Sequence, residues 1–339
     1  MSTHSALLHP NAVLFAGSHA LPVIPAVDHY CGSEKLMRKS LALQQDLGPV
    51  FDITLDCEDG AVAGREREHA ELVAGMLAGD DNRFGRVGAR IHDVTHPHWR
   101  EDLRIILAGA GKRLAYLTLP KPRNVNDVAE VLQALRAEEA IHDIRQPIPL
   151  HALIETHGAL RDVWQIAALP GVQSLDFGLM DFVSEHQGAI PASAIESPGQ
   201  FEHPLVVRAK CEVAAAAHAY GLVPTHNVTT VLDSVSVPRE DARRARQSLG
   251  YLRMWSIHPA QIEPILEGMR PAAGEVEAAC AILVQAQRAD WGPIRVGARL
   301  HDRGSFRHYW NLLLRARSTG MDIPEEASRR FFAAPGPTP

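Results

Sequence analysis

Eight short, mostly apolar runs punctuate this chain, and helical sequence rather than a hairpin turn follows each of them. They fall at residues 12–16, 51–56, 86–91, 114–119, 149–155, 174–178, 222–226 and 253–258. Between them lie amphipathic stretches at 33–47, 97–107, 125–139, 157–168, 204–220 and 239–249, and Glu58-Asp59-Gly60 is expected to open a further helix. Strands joined by helices are parallel strands with crossover connections. Eight of them close a (β/α)8 barrel, and an open doubly wound sheet is the competing arrangement. The polar residues favour the barrel. Asp56, Arg90, Lys121, Glu155, Asp181, His226 and His258 stand at or just past the C-terminal ends of successive runs, the face on which barrel enzymes carry their sites.

Glu155 and Asp181 lie 26 positions apart, one strand–helix unit, which sets them on neighbouring strands. Two adjacent hard oxygen donors suit Mg2+. The bland alternative is a helix cap at Glu155 and a loop acid at Asp181. Arg90 offers a fork of donors to a carboxylate or an enolate oxygen, and a salt bridge to Asp56 or Glu58 would be compatible with that. Of the three acids Asp56, Glu58 and Asp59, Glu58 is placed beside the metal ligands and Asp59 at a helix cap. Lys121 reads as a charge partner for these acids. His92, His96 and His98 flank Pro97 with no fixed Cys or carboxylate partner, so a solvated loop is expected there rather than zinc. His258 is expected to support the rim.

A net charge of −6 without any basic run argues against nucleic acid or an anionic membrane as partner. Cys31, Cys57, Cys211 and Cys280 have no metal spacing and read as reduced core residues. Neither a secretory leader nor an apolar run of membrane-spanning length is evident, which points to a cytoplasmic protein. Two domains are expected: a barrel over 1–270 and a C-terminal helical lid over 271–339, with a strand near 294–300, a helix near 306–317 and a disordered Pro-rich end. The echo of residues 87–93 in 296–302 is read as coincidence, because the flanks differ.

The motifs Leu55-Asp56-Cys57-Glu58-Asp59, Arg90, Leu119-Pro120-Lys121, Ile154-Glu155-Thr156, residues 177–181 and residues 257–262 resemble, in order and spacing, the citrate lyase β-subunit-like and malyl-CoA lyase-like group of the HpcH/HpaI aldolase family. The resemblance runs from about Val13 to Met269. It implies a Mg2+-dependent carbon–carbon lyase acting on a 3-hydroxy-acyl-CoA such as malyl-CoA, citramalyl-CoA or citryl-CoA. The products would be a 2-oxo acid and an acyl-CoA. It further implies Glu155 and Asp181 as metal ligands, with Arg90 and Glu58 as catalytic groups. Arg90, Lys39 and Gly178 would contact substrate, with Arg38 a further candidate for CoA. Asp302 would be a proton-transfer acid supplied by a neighbouring copy in a homo-oligomer, a trimer or hexamer. Two departures bear on the substrate. Asn11 stands where relatives carry an arginine before the first strand, with Gly17-Ser18 for Pro-Gly after it, and His226 or Asn227 stands for an aspartate. A thioester hydrolase, a 2-oxo acid aldolase on the same metal site, and a catalytically silent CoA-ester-binding protein remain alternatives.

Overall fold

The computed structural model describes residues 8–15, 21–61 and 63–333. The chain forms two compact units, Pro25–Met269 and the described parts of Met1–Ile24 with Arg270–Pro339. The described residues before Pro25, expected to belong to the barrel, thus group with the C-terminal segment. A short helix, α1 (Pro10–Leu14), opens the described chain.

The first unit is a closed barrel of eight parallel strands in sequence order: β1 (Val27–Cys31), β2 (Asp52–Asp56), β3 (Val87–Arg90), β4 (Leu117–Leu119), β5 (Leu150–Ile154), β6 (Val172–Phe177), β7 (Val223–His226) and β8 (Arg253–Ser256). Pairing of β1 with β8, Asp28 opposite Trp255, closes the ring. The connecting helices are α2 (Glu34–Leu47), α3 (Glu66–Ala78), α4 (Trp99–Ala110), α5 (Val125–Ile141), α6 (His157–Arg161), α7 (Val163–Ala167), α8 (Leu179–Ser184), α9 (Pro204–Ala219), α10 (Ser236–Leu249) and α11 (Ile262–Met269). Among the described residues, no helix is long and apolar enough to cross a membrane.

One strand is misplaced by the sequence reading. Residues 12–16 lie partly in α1, and the Gly17-Ser18 that should end a strand there falls outside the described residues. Pro10 occupies the first turn and the His9 ring accepts the Asn11 N–H, which favours a helix over a strand. A short apolar run does not by itself separate the two. The true first strand is preceded by Pro25-Ala26 and followed by Gly32-Ser33. Asn11 is therefore not the position before the first strand, although no arginine stands there either.

Strand alternation sorts the barrel into two cores. Ile53, Leu55, Val87, Ala89, Leu117, Leu119, Leu150, Ala152, Ile154, Leu175 and Phe177 are fully or almost fully buried against helix residues such as Leu77, Ile106, Val131 and Ile166. The alternate positions face one another across the lumen, and most of them are polar. Arg253, with no exposed surface, reaches Asp28 at 2.8 Å and Asp52 at 2.5 Å. Asp28 accepts hydrogen bonds from Thr54 and Tyr116, and Tyr116 stacks on His151 at 4.1 Å. Burial pushes Asp176 up to about 7 and Asp52 up to about 6, while it pulls His151 down to about 3. Arg253 is thus the cation that pairs with Asp28 and Asp52 in the buried lumen.

The second unit packs α1 with α12 (Ala273–Arg288), α13 (Arg303–Ser318) and α14 (Glu325–Phe331) around Leu14, Leu283, Trp291, Phe306 and Trp310. The Trp310 indole N–H donates to Asn11 Oδ1 at 2.7 Å. The strand expected near 294–300 is instead a hairpin, β9 (Ile294–Val296) and β10 (Arg299–His301), turning at Gly297. It shares no structure with the similar sequence in β3. The Pro-rich last five residues, expected to be disordered, lie outside the described residues.

Replacing Arg253 with Met leaves Asp28 and Asp52 buried without their cation. We expect a loss of roughly 3–5 kcal/mol in urea unfolding at neutral pH. A loss under about 1 kcal/mol would show that Arg253 is not what compensates them.

Candidate metal and acid site

The site is built at the C-terminal ends of β2 to β6. Asp56 closes β2, and its carboxylate accepts the N–H of Glu58 at 3.0 Å and of Gly60 at 2.7 Å. These bonds curl the chain back, the described residues between β2 and α3 form a loop, and α3 begins only at Glu66. The expectation that Glu58-Asp59-Gly60 opens the helix, with Asp59 as its cap, is corrected by that turn. Gly60 is required by it: a Cβ there would lie 2.5 Å from Asp56 Oδ2. The same carboxylate grips Arg90 through Nε and Nη2, both at 2.7 Å, and Arg90 Nη1 stands 2.8 Å from Glu58. Burial raises Asp56, but the Arg90 guanidinium and the two N–H donors hold its carboxyl below the usual range. The fork expected to meet substrate is therefore mostly spent on Asp56 and Glu58, which leaves Arg90 its remaining N–H donors.

Lys121, past the end of β4, ties these acids to the next sector. Its Nζ lies 2.5 Å from Glu58, 2.9 Å from Asp59 and 3.8 Å from Asp181. Burial lowers its pKa, but the bonds to Glu58 and Asp59 outweigh that and hold it well above the usual lysine value. The residue is a charge partner, as the sequence suggests, and not a neutral nucleophile. Its backbone sits at φ +48°, a conformation sparsely used by non-glycine residues, and that geometry points its N–H at Glu155 Oε1, 2.8 Å away.

Glu155 follows β5 directly and is 3% exposed. Burial first, then the charge of Asp181, pushes its carboxyl up to about 8. Asp181 lies in α8 rather than at a strand end, four residues beyond β6, and is the more exposed of the two. Gly178 gives Glu155 its room: a Cβ there would lie 2.0 Å from Oε2. The Gly178 N–H bonds Ile154 O at 3.3 Å. Glu155, Asp181, Lys121, Asp93, Arg123 and Glu185 line a cavity of about 300 Å3. Two neighbouring carboxylates, one buried and pushed up by the other, fit a hard divalent cation that would relieve their repulsion. An all-oxygen pair suits Mg2+ better than zinc.

A second cavity of about 330 Å3 adjoins the first, sharing Lys121 and Asp93, and is lined also by Glu58, Asp59, Glu66, His92 and His96. The histidine expectation needs correction here. His92 is buried, and its Nδ1 lies 2.6 Å from Asp102 Oδ2 on α4. His96 stacks on it at 4.0 Å. Among the described residues none of His92, His96 and His98 belongs to a group spaced for a metal; such a group occurs at Asp28, His151 and Asp176, where Arg253 already stands.

Other expectations fall elsewhere. Lys39 is exposed on α2 and lines neither cavity, and Arg38 pairs with Glu34 at 2.7 Å. Asp302 caps α13, accepting the Gly304 and Ser305 N–H groups at 3.1 and 3.2 Å. His258 likewise accepts the Ala260 N–H. His226 does not join the ring at the mouth: it stacks on Phe201 and meets Lys210 Nζ at 2.9 Å outside the lumen. Burial drives both Lys210 and His226 far below their usual values. Cys211 is exposed rather than a core residue, whereas Cys31, Cys57 and Cys280 are buried. The sequence reading missed Asp102 and the lumen set Asp28, His151, Asp176 and Arg253. A polar residue at every second position, as in Asp52-Ile53-Thr54-Leu55-Asp56, was the available signal.

Barrel and mouth together define a (β/α)8 enzyme with an acidic site on its C-terminal face. Residues 35–259 match the model of the HpcH/HpaI aldolase/citrate lyase family, and the chain belongs to that family as a lyase. A citrate lyase from Burkholderia xenovorans LB400 is 56% identical over 97% of this chain and 100% of that one, with a TM-score of 0.83. The L-malyl-CoA/β-methylmalyl-CoA lyase of Cereibacter sphaeroides is 25% identical over 68% of this chain and 75% of its own. CitE of Mycobacterium tuberculosis, solved with magnesium, acetoacetate and coenzyme A, shares the fold at 20% identity and a TM-score of 0.66, covering 87% of this chain and 98% of that one.

The folded Glu155 carboxyl titrates at about 8 against an ordinary 4.5, so the metal-free folded state holds a proton that the unfolded chain releases. The stability it contributes is complete below 4.5 and is lost as pH rises through about 8. Denaturant melts of metal-free protein between pH 5 and 9 are expected to show this decline, on the order of a few kcal/mol, flattened in Glu155→Gln. Equal pH slopes in the two proteins would contradict it.

Proposed function

We propose that this protein is a Mg2+-dependent carbon–carbon lyase that cleaves a 3-hydroxy-acyl-CoA into a 2-oxo acid and an acyl-CoA. The observation that carries the reading is the pair of Glu155, buried and raised to about 8, and Asp181 beside one cavity. These two residues would hold the ion, with Gly178 leaving Oε2 unobstructed. Bound there, Mg2+ supplies Lewis-acid stabilisation of substrate oxygens. The printed names and contents of the relatives, lyases of malyl-CoA and a neighbour holding magnesium with coenzyme A, support the reading.

The chain's own groups then divide the work. Lys121, lining both cavities, attracts the carboxylate of the 2-oxo acid and balances Asp59 and Glu58 when it does so. Arg90, locked in place by Asp56, directs its free N–H donors at the thioester oxygen that gains charge as the bond breaks. Glu58 holds Arg90 and Lys121 in register. Asp302 would serve a neighbouring copy in a homo-oligomer.

The test is to incubate the protein and Mg2+ with malyl-CoA, citramalyl-CoA or citryl-CoA, and to follow 2-oxo acid and free thiol separately. Release of 2-oxo acid together with acyl-CoA is expected, falling on the order of 100-fold or more in Glu155→Gln. Free thiol without 2-oxo acid would identify a hydrolase instead. Binding without turnover, unchanged in that variant, would identify a silent binding protein.

Asparagine caps a helix about as well as aspartate, so Asp302→Asn separates capping from proton transfer. Turnover is expected to fall with α13 intact. Mixing the Asp302→Asn and Glu155→Gln proteins is expected to restore part of it. Full activity of Asp302→Asn alone would remove Asp302 from the reaction.

A further inference from the structure

We propose that the barrel lumen holds one proton on the Asp176 carboxyl group, a proton-binding site that ties the stability of the barrel to pH. No step of the reaction above uses Asp176, so the site stands whether or not the lyase reading does. Asp176 lies on β6 with no exposed surface. Around it stand Asp28 from β1, His151 from β5, Ser174 from its own strand, Thr225 from β7, Tyr251 just before β8 and Arg253 from β8. The site joins β5 to β6, with His151 opposite Ser174 and Leu153 opposite Asp176, and these two strands lead into Glu155 and Gly178.

The hydrogen bonds around Asp176 call for that proton. Ser174 Oγ lies against Asp176 Oδ1, 2.8 Å from the Val223 carbonyl oxygen and 2.9 Å from Thr225 Oγ1. A serine hydroxyl carries one hydrogen. An ionised Asp176 Oδ1 and the Val223 carbonyl would both draw on it. With a proton on Asp176 the conflict ends: Asp176 donates to Ser174 Oγ, and Ser174 donates to Val223 O. The histidine beside it supplies no positive charge in exchange. His151 Nε2 lies 3.0 Å from Gln173 Oε1, an acceptor, so Nε2 carries the ring hydrogen and Nδ1 is a lone pair. Neither His151 Nδ1 nor Asp176 Oδ2 has a hydrogen-bond partner among the described residues. Burial pulls the imidazole down to about 3, so the ring is neutral.

The charges point the same way. Arg253 places Nη2 2.8 Å from Asp28 and Nη1 2.5 Å from Asp52, and among the described residues Asp176 has no ion pair. A buried carboxylate without a cation neutralises itself by taking a proton. The ligating atoms of Asp28, His151 and Asp176 lie within 4.8 Å of one another, but Arg253 already holds Asp28 and would repel a divalent ion there. Burial raises the Asp176 carboxyl; the bond with Ser174, then Arg253 and more weakly Thr225, oppose it, and the balance stands at about 7. The ordinary value is 3.8, so the folded chain keeps a proton that the unfolded chain releases. The stability contributed by that proton is complete below 3.8 and is lost as pH rises through about 7.

The test compares the full-length protein with Asp176→Asn, in which an amide N–H replaces the acid O–H toward Ser174, and with Asp28→Asn, which removes an anion that Arg253 holds. Infrared difference spectra of wild type against Asp176→Asn in D2O are expected to show a protonated carboxyl C=O band at pH 5 that is gone at pH 9. In urea unfolding, Asp176→Asn is expected to gain on wild type as the pH rises from 5 to 7, with a constant lead above that. Asp28→Asn is expected to be weaker than wild type throughout, because it breaks an ion pair that is in use. An Asp176→Asn protein that fails to fold, or that trails wild type by one margin at every pH, overturns the assignment. So does a difference spectrum without the acid band at pH 5. A Mn2+ ion found among Asp28, His151 and Asp176 by anomalous diffraction also overturns it, since a metal ion and not a proton would then neutralise the group.

Discussion

Two buried guanidinium groups carry the charge of this barrel's polar interior. Arg253, first residue of β8, neutralises Asp28 and Asp52 deep in the lumen, and Arg90, last residue of β3, is gripped by Asp56 and Glu58 at the mouth. Parallel strands buried on both faces ordinarily read as apolar runs. Here the apolar half of each strand faces the helices, and much of the other half is polar, with ion pairs gathered at Arg253 and Arg90. Glu155 has no such cation. Its carboxylate has one backbone N–H and the distant help of Arg90 against burial and Asp181. Arg253 compensates Asp28 and Asp52 below the site, whereas Glu155 at the site is left short of a cation.

That imbalance explains why Lys121 behaves as it does. Its Nζ spans the space between Glu58, Asp59 and Asp181, and so partly balances Asp181. The positive φ at Lys121 is the local cost of sending the backbone N–H to Glu155 and the side chain to the opposite acids. One residue thus positions the buried ligand and links the two cavities.

Much of this was legible in the sequence, and what was not has physical reasons. Seven of the strand positions could be read because their helix-facing residues are apolar; β1 was not, because Asp28, His29 and Tyr30 interrupt its apolar pattern and Asp28 is buried against Arg253 of the neighbouring strand β8. The acids and the lysine at strand ends could be placed because a barrel puts successive strand ends on one rim. The His92–Asp102 pair could not, since it joins a loop to a helix ten residues on and depends on how α4 packs. His226 was drawn into the site for the wrong reason. It ends a strand but faces Lys210 and Phe201, outside the lumen.

The most direct measurement is diffraction from crystals soaked with Mn2+ in place of Mg2+, together with pyruvate, using the anomalous signal of the metal. The account predicts an ion bonded to one oxygen each of Glu155 and Asp181 at about 2.1–2.2 Å, with the 2-oxo acid completing its coordination. An ion lodged instead among Asp28, His151 and Asp176, or one bound on the rim without Glu155, would contradict it.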